Sequence, residues 1–197
     1  MQEVVTGRGR PAVRVVSRWP TALAVVAAAG VVLVIVRFAN EADYFGASIA
    51  TMAGIYLFAY GLGRPWTAWP AFLLLSALVT ILQFAHTHGV LPFDAPVGMA
   101  AVLVVLWLWA VVRRRFTDRP TFAVQTAGAA GFAVVTLLCV AVQPTLGALL
   151  AGVGILAHAA WDAYHWRTGK VVHRSWAEFC FVLDLIVGAA LIIATAR

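Results

Sequence analysis

The stretch TALAVVAAAGVVLVIVRF, residues Thr21–Phe38, decides the fold class because it stays apolar over about the length of one membrane span. Six further apolar runs of about 20 residues follow it, separated by short polar breaks. The 197-residue chain is 63% hydrophobic and 11% charged, whereas soluble domains have about 45–50% and about 25%. We therefore predict an all-α, polytopic transmembrane bundle of seven helices.

The predicted spans end at loop signals that contain glycine, proline, asparagine or aspartate. They cover Trp19–Phe38, Tyr44–Leu62, Thr67–Ala85, Pro96–Val112, Thr121–Val142, Leu146–Trp166 and Trp176–Thr195. Residues 1–18 form a short basic tail, and residues 19–197 form a single transmembrane domain. The first span follows four arginines, as in a signal peptide, but we expect it to remain as an uncleaved anchor because it is long and more spans follow.

The distribution of charge predicts the orientation of the bundle. Of the 14 lysines and arginines, all but Arg37 and Arg197 fall at one end, whereas the acids Glu41, Asp43 and Asp94 fall at the other. Basic residues mark the cytoplasmic side, so the N-terminus is predicted to be cytoplasmic and the C-terminus outside. All eight tryptophans lie in the predicted cytoplasmic halves of their helices, as interfacial anchors would. We expect a multi-pass protein of a bacterial cytoplasmic (inner) membrane.

Composition also restricts the partners of the chain. The lipid bilayer is the expected partner and nucleic acid is not, because the net charge of +6 is scattered among short loops.

Cys139 and Cys180 fall in different helices, so neither a disulfide nor a thiolate zinc site is predicted. Lys170, the one lysine, lies in a loop, which excludes a retinal Schiff base in the last helix. The sequence leaves open a homo-oligomer or a membrane protein partner, and it does not identify a substrate.

Two stripes of small residues at a spacing of four indicate close helix packing, which replaces the missing hydrophobic driving force in lipid. One runs through Gly46, Ala50 and Gly54 in the second helix. The other runs through Ala123, Ala127 and Gly131 in the fifth. Chance spacing in an alanine-rich helix explains either stripe equally well.

The stretch HAAWDAYH, residues 158–165, places the most informative polar residues on one helix. His158, Asp162 and His165 fall at i, i+4 and i+7, which puts them on one face. The seventh helix adds the ionisable residues Glu178, Cys180 and Asp184. The connecting loop adds His173. Because the two helices are antiparallel and joined by a short loop, residues whose numbers sum to about 342 should share a depth, as His158 and Asp184 do.

Ionisable groups inside a span cost on the order of 2.5–3.5 kcal/mol each, so they usually have a purpose. One hypothesis is a metal-dependent, membrane-embedded enzyme, because imidazoles and carboxylates suit a divalent ion such as Zn, Fe or Mn. Its predicted ligands are His158, Asp162, His165 and Asp184, with His173 and Glu178 as additional candidates. Asp162 and Glu178 are the candidate catalytic residues.

Two other interpretations stay open. The polar residues could form a proton or ion path, for which Ser76, Thr80 and Gln83 would supply polar steps in the outer half of the third helix. They could instead only fix helix packing through interhelical hydrogen bonds. At the outer end, His86, His88 and Asp94 could join Glu41 and Asp43 in an exposed cation site, although solvated loops are the simpler interpretation.

The run His158-x-x-Trp161-Asp162-x-x-His165, followed by Ala177-Glu178-Phe179-Cys180 and Leu183-Asp184, resembles the C-terminal pattern of a family of small, uncharacterised bacterial polytopic integral membrane proteins. The resemblance covers only about the last two helices. It implies that these residues act as a unit, and it implies no particular activity, cofactor or substrate.

Overall fold

The computed structural model describes residues 18–38 and 42–197, except for the side chains of residue 38 and residues 42–44. Seven α-helices, each long and apolar enough to cross a membrane, make up this part of the chain. They are α1 (Trp19–Phe38), α2 (Ala42–Leu62), α3 (Ala68–Thr87), α4 (Ala95–Val112), α5 (Arg119–Ala141), α6 (Pro144–Thr168) and α7 (Arg174–Thr195). Short 3₁₀ turns, Pro65–Thr67 and Arg115–Thr117, precede α3 and α5.

The predicted number of helices is confirmed, and each helix boundary lies within two residues of its prediction. Local chemistry sets the boundaries. Gly169 ends α6 in the left-handed conformation, at φ 62°, which glycine adopts without steric cost. The Asp118 side chain accepts a hydrogen bond from the Thr121 backbone at the start of α5. Hydrogen bonding to the Thr121 side chain, and then to its backbone, keeps the pKa of Asp118 below its ordinary value. The orientation in a membrane stays a prediction, and residues 1–17 of the basic tail lie outside the described residues.

Helix α2 is the centre of the bundle. Of its apolar span, 78% is buried, compared with 17–50% for the other six. The predicted small-residue stripe on α2 lies in tight contacts: a Cβ on Gly46 would lie 2.9 Å from Cys139 Cβ, and one on Gly54 would lie 3.1 Å from Leu75 Cδ1. Small residues therefore allow α2 to approach its neighbours closely.

The predicted packing stripe on α5 is wrong. Ala123, Ala127 and Gly131 are exposed, and a Cβ on Gly131 would meet nothing within 4 Å. A different face of α5 is buried, and most of its side chains are larger than alanine: Gln125, Ala129, Phe132, Thr136 and Cys139. The helix thus packs mainly through this face, and the three residues of the predicted stripe face outward.

Helices α6 and α7 cross closely at two facing glycines. A Cβ on Gly152 would lie 3.2 Å from the Gly188 carbonyl oxygen, and one on Gly188 would lie 3.0 Å from that of Gly152. This glycine contact brings the two backbones close together. It positions the polar residues that lie about two turns farther along α6.

Candidate functional site

Three ionisable side chains from α6 and α7 meet inside the bundle. His158 and Asp162 lie one turn apart on α6, and Asp184 faces them from α7. The His158 Nδ1 atom lies 2.9 Å from Asp184 Oδ2 and 3.3 Å from Asp162 Oδ2. The exposed fraction of these residues is 0% for His158 and Asp162 and 2% for Asp184. The predicted equal depth of His158 and Asp184 is therefore confirmed.

Tyr56 of α2 joins this group, although the sequence analysis did not select it. Its hydroxyl donates a hydrogen bond of 2.5 Å to Asp162 Oδ1, and the residue is 1% exposed. The ring packs against both nearby imidazoles, with centroids 5.5 Å from His158 and 4.6 Å from His165. The one signal in the sequence for this residue was a tyrosine inside an apolar span, because a buried phenol usually has a hydrogen-bond partner.

Two polar atoms of the group have no hydrogen-bond partner within residues 18–38 and 42–197. They are Asp162 Oδ2 and His158 Nε2, and both are buried. The imidazole of His158 instead lies beside the Phe132 ring of α5, with centroids 5.0 Å apart. Buried polar atoms are normally paired, so the hydrogen bonding of this group is incomplete at these two atoms.

The donor atoms of the group fit a metal ion. One ligand atom from each of His158, Asp162 and Asp184 lies within 4.8 Å of the others. Zinc binds nitrogen and oxygen at about 2.0–2.2 Å, which places two ligands of one tetrahedral or octahedral ion about 3.0–3.4 Å apart. Two of the three separations, 2.9 and 3.3 Å, are close to that range, and the third is at most 4.8 Å.

His165 is held in a different network. Its Nδ1–H donates to the Trp161 carbonyl oxygen at 2.9 Å, and its Nε2 accepts from the Gln125 amide nitrogen at 2.8 Å. This pattern needs a neutral imidazole whose two nitrogens are both engaged. His165 is 1% exposed and lies beside the three-residue group, which does not include it.

Glu178 and His173 also lie outside the group. The Glu178 carboxylate accepts a hydrogen bond of 2.6 Å from the Thr21 hydroxyl and lies 3.4 Å from the Arg18 guanidinium, so it links α7 to α1. His173 caps the start of α7, where its Nδ1 accepts from the Ser175 backbone at 3.3 Å. These contacts indicate structural roles for both residues in this conformation.

The outer histidines form local contacts. His86 Nε2 lies 2.8 Å from Asp94 Oδ1, and the Nδ1 of His88 donates to the Phe84 carbonyl oxygen at 2.9 Å. Glu41 and the side chain of Asp43 lie outside the described residues. At this end of the bundle, the described residues therefore show a surface pair of His86 with Asp94 and a His88 that is bonded to its own helix.

Asp184 connects the buried group to a cavity of about 290 Å³ bounded by α1, α2, α3, α6 and α7. Most of its walls are apolar, but hydroxyl groups from α2 and α3 also line it, at Ser48, Thr51 and Ser76. The Asp184 carboxylate is therefore the member of the group that an incoming solute would meet first.

The described residues form an all-helical bundle, whose seven helices are each long and apolar enough to cross a membrane, around a buried group of one histidine and two aspartates. Comparison with known proteins found no matching family model, no matching curated protein and no matching solved structure. The function has to be inferred from the geometry and chemistry of the site.

Proposed function

We propose that this chain is a membrane-embedded, metal-dependent enzyme that holds one divalent ion between α6 and α7. The ligands are His158 Nδ1, Asp162 Oδ2 and Asp184 Oδ2. The observation that carries the proposal is that one donor atom from each of these three buried side chains lies within 4.8 Å of the other two.

Charge balance supports a divalent ion. Two ionised carboxylates and a neutral imidazole carry a net charge of −2, and burying an unbalanced charge inside a membrane is costly. A divalent cation neutralises the group, and its positive charge replaces the proton that His158 Nδ1 otherwise shares with Asp184. Asp162 Oδ2, which makes no hydrogen bond and lies 3.3 Å from His158 Nδ1, then gains a metal ion as its partner.

The donor set limits the metal and the chemistry. One nitrogen and two carboxylate oxygens suit Zn, Fe or Mn, and they offer no soft sulfur ligand. Three protein ligands leave a coordination position open, and a metal with an open position can activate water for hydrolysis. Tyr56 holds the Asp162 carboxylate in place through its hydroxyl, so it acts as a positioning residue.

Elemental analysis of the purified protein tests the proposal directly. We expect about one equivalent of Zn, Fe or Mn per chain after incubation with each metal, and its loss in His158→Gln and in Asp184→Asn. His86→Gln is the matched control, because it removes a histidine from another His–Asp pair. A native protein without stoichiometric metal, or metal retained in folded His158→Gln, would overturn the proposal.

A second candidate function is passage of protons or cations through the bundle. The observation that favours it is the cavity that reaches the Asp184 carboxylate. Reconstituted liposomes test it: a transporter gives a cation or proton flux that Asp184→Asn abolishes, whereas an enzyme gives no flux in either protein.

A further inference from the structure

A second cavity, of about 440 Å³, lies beside the one that reaches Asp184. It is bounded by the last three turns of α3 and by α2, and its lining includes Thr80, Gln83, Thr87 and His88. Ser48 and Val79 line both cavities. The two cavities therefore adjoin at these residues and together extend from Asp184 to the end of α3.

Polar side chains of α3 follow this pair of cavities. Ser76, Thr80, Gln83 and Thr87 fall at i, i+4, i+7 and i+11, so they share one helix face and span about 16 Å along the axis. Ser76 lines the inner cavity and the other three line the outer cavity. The hydroxyl and amide groups of this face can hydrogen-bond water in the cavities, whereas the apolar chains of lipid cannot satisfy them.

The hydrogen bonds of this face leave it able to bind water. The Thr80 hydroxyl donates to the Ser76 carbonyl oxygen at 2.8 Å, and the Thr87 hydroxyl donates to the Gln83 carbonyl oxygen at 2.9 Å. A threonine hydroxyl that donates its proton still accepts through its oxygen. Bonding back to the same helix is thus compatible with water in the cavities.

We infer that water and a small hydrated divalent cation reach Asp184 from the end of the bundle at which α3 ends, through these two cavities. The identity of the cation rests on the proposed metal site. The route adds that the ion arrives at this site hydrated and from the end of the bundle at which α3 ends. The route ends at Asp184, and hydroxyl and amide groups line the outer cavity and part of the inner one. These groups can take the place of water molecules around a cation.

Cysteine labelling in liposomes tests the route. Ser76→Cys places a thiol in the inner cavity, and Leu74→Cys is the matched control at nearly the same depth, on a residue that is 56% exposed on the outside of α3. The native cysteines are 1% and 4% exposed and define the background. The probe is a small, positively charged methanethiosulfonate reagent, which reacts with thiols in water.

We expect Ser76→Cys to react at least about tenfold faster than Leu74→Cys. Filling the junction by Val79→Phe in the Ser76→Cys protein should slow the reaction about tenfold, whereas Val79→Ala should not. Labelling of Ser76→Cys by an apolar maleimide but not by the charged reagent would show a lipid-filled cleft and overturn the inference.

The labelling of Ser76→Cys and the binding of metal can be measured separately, so either proposal can fail without the other. Labelling of Ser76→Cys in a protein that binds no metal would leave the water route standing and refute the proposed function. Metal binding by a protein in which Ser76→Cys stays unlabelled by the charged reagent would support the metal site and refute this route.

Discussion

The hydroxyl of Tyr56 offers a sharp test of the site, because it ties the central helix α2 to a proposed ligand. Tyr56→Phe removes a donor that lies 2.5 Å from Asp162 Oδ1 and leaves the ring in place. A buried hydrogen bond to a charged group contributes about 1.5–3 kcal/mol to the free energy of unfolding. Loss of a group that orients a metal ligand typically weakens metal binding about 10–100-fold.

Tyr60→Phe is the matched control one turn farther along α2. Its hydroxyl donates at 2.8 Å to the Arg115 carbonyl oxygen, which is neutral and belongs to a connecting segment. We expect a loss of only about 0.5–1.5 kcal/mol from this variant and unchanged metal affinity. Unfolding by dodecyl sulfate in mixed micelles measures the stability, and competition with a metal indicator measures the affinity. Equal metal affinity in the two variants would refute the role given to Tyr56.

Three further predictions concern other parts of the bundle. Gly128→Ala should lower the free energy of unfolding by about 1–3 kcal/mol, because the added Cβ would overlap the Trp161 ring. Gly131→Ala, whose Cβ would meet nothing within 4 Å, should cause no loss in the same unfolding assay. His165→Gln should retain one metal per chain in elemental analysis, since both ring nitrogens are engaged elsewhere; loss of the metal from this folded variant would return His165 to the ligand set. Cysteines placed at Lys170 and Thr145, both exposed, should react with an impermeant thiol reagent from opposite sides of the membrane, the first from the cytoplasm; the reverse pattern would invert the predicted orientation.

The helices were predictable because an apolar run of about 20 residues is a strong local signal. The facing of His158 and Asp184 was predictable for a related reason: the short loop between α6 and α7 fixes which residues lie at the same depth. Both inferences use only neighbouring segments of the chain.

Contacts between distant segments were not predictable in this way. Tyr56 reaches Asp162 across 106 positions of sequence, and no periodicity in α2 indicates which helix it faces. His165 shares a helix face with His158, but its ring nitrogens are taken by Gln125 and by a backbone carbonyl. The stripe at Ala123, Ala127 and Gly131 failed for the same reason, because spacing of small residues does not show which face meets a neighbour.

X-ray absorption spectroscopy of the metal-loaded protein gives the most direct test of the metal site, because it reports the atoms bound to the ion. We expect one ion per chain with a shell of nitrogen and oxygen at about 2.0–2.2 Å, including one imidazole that disappears in His158→Gln. A sulfur shell at about 2.3 Å, which would make buried Cys180 a ligand, or an ion whose spectrum is unchanged by His158→Gln, would contradict it.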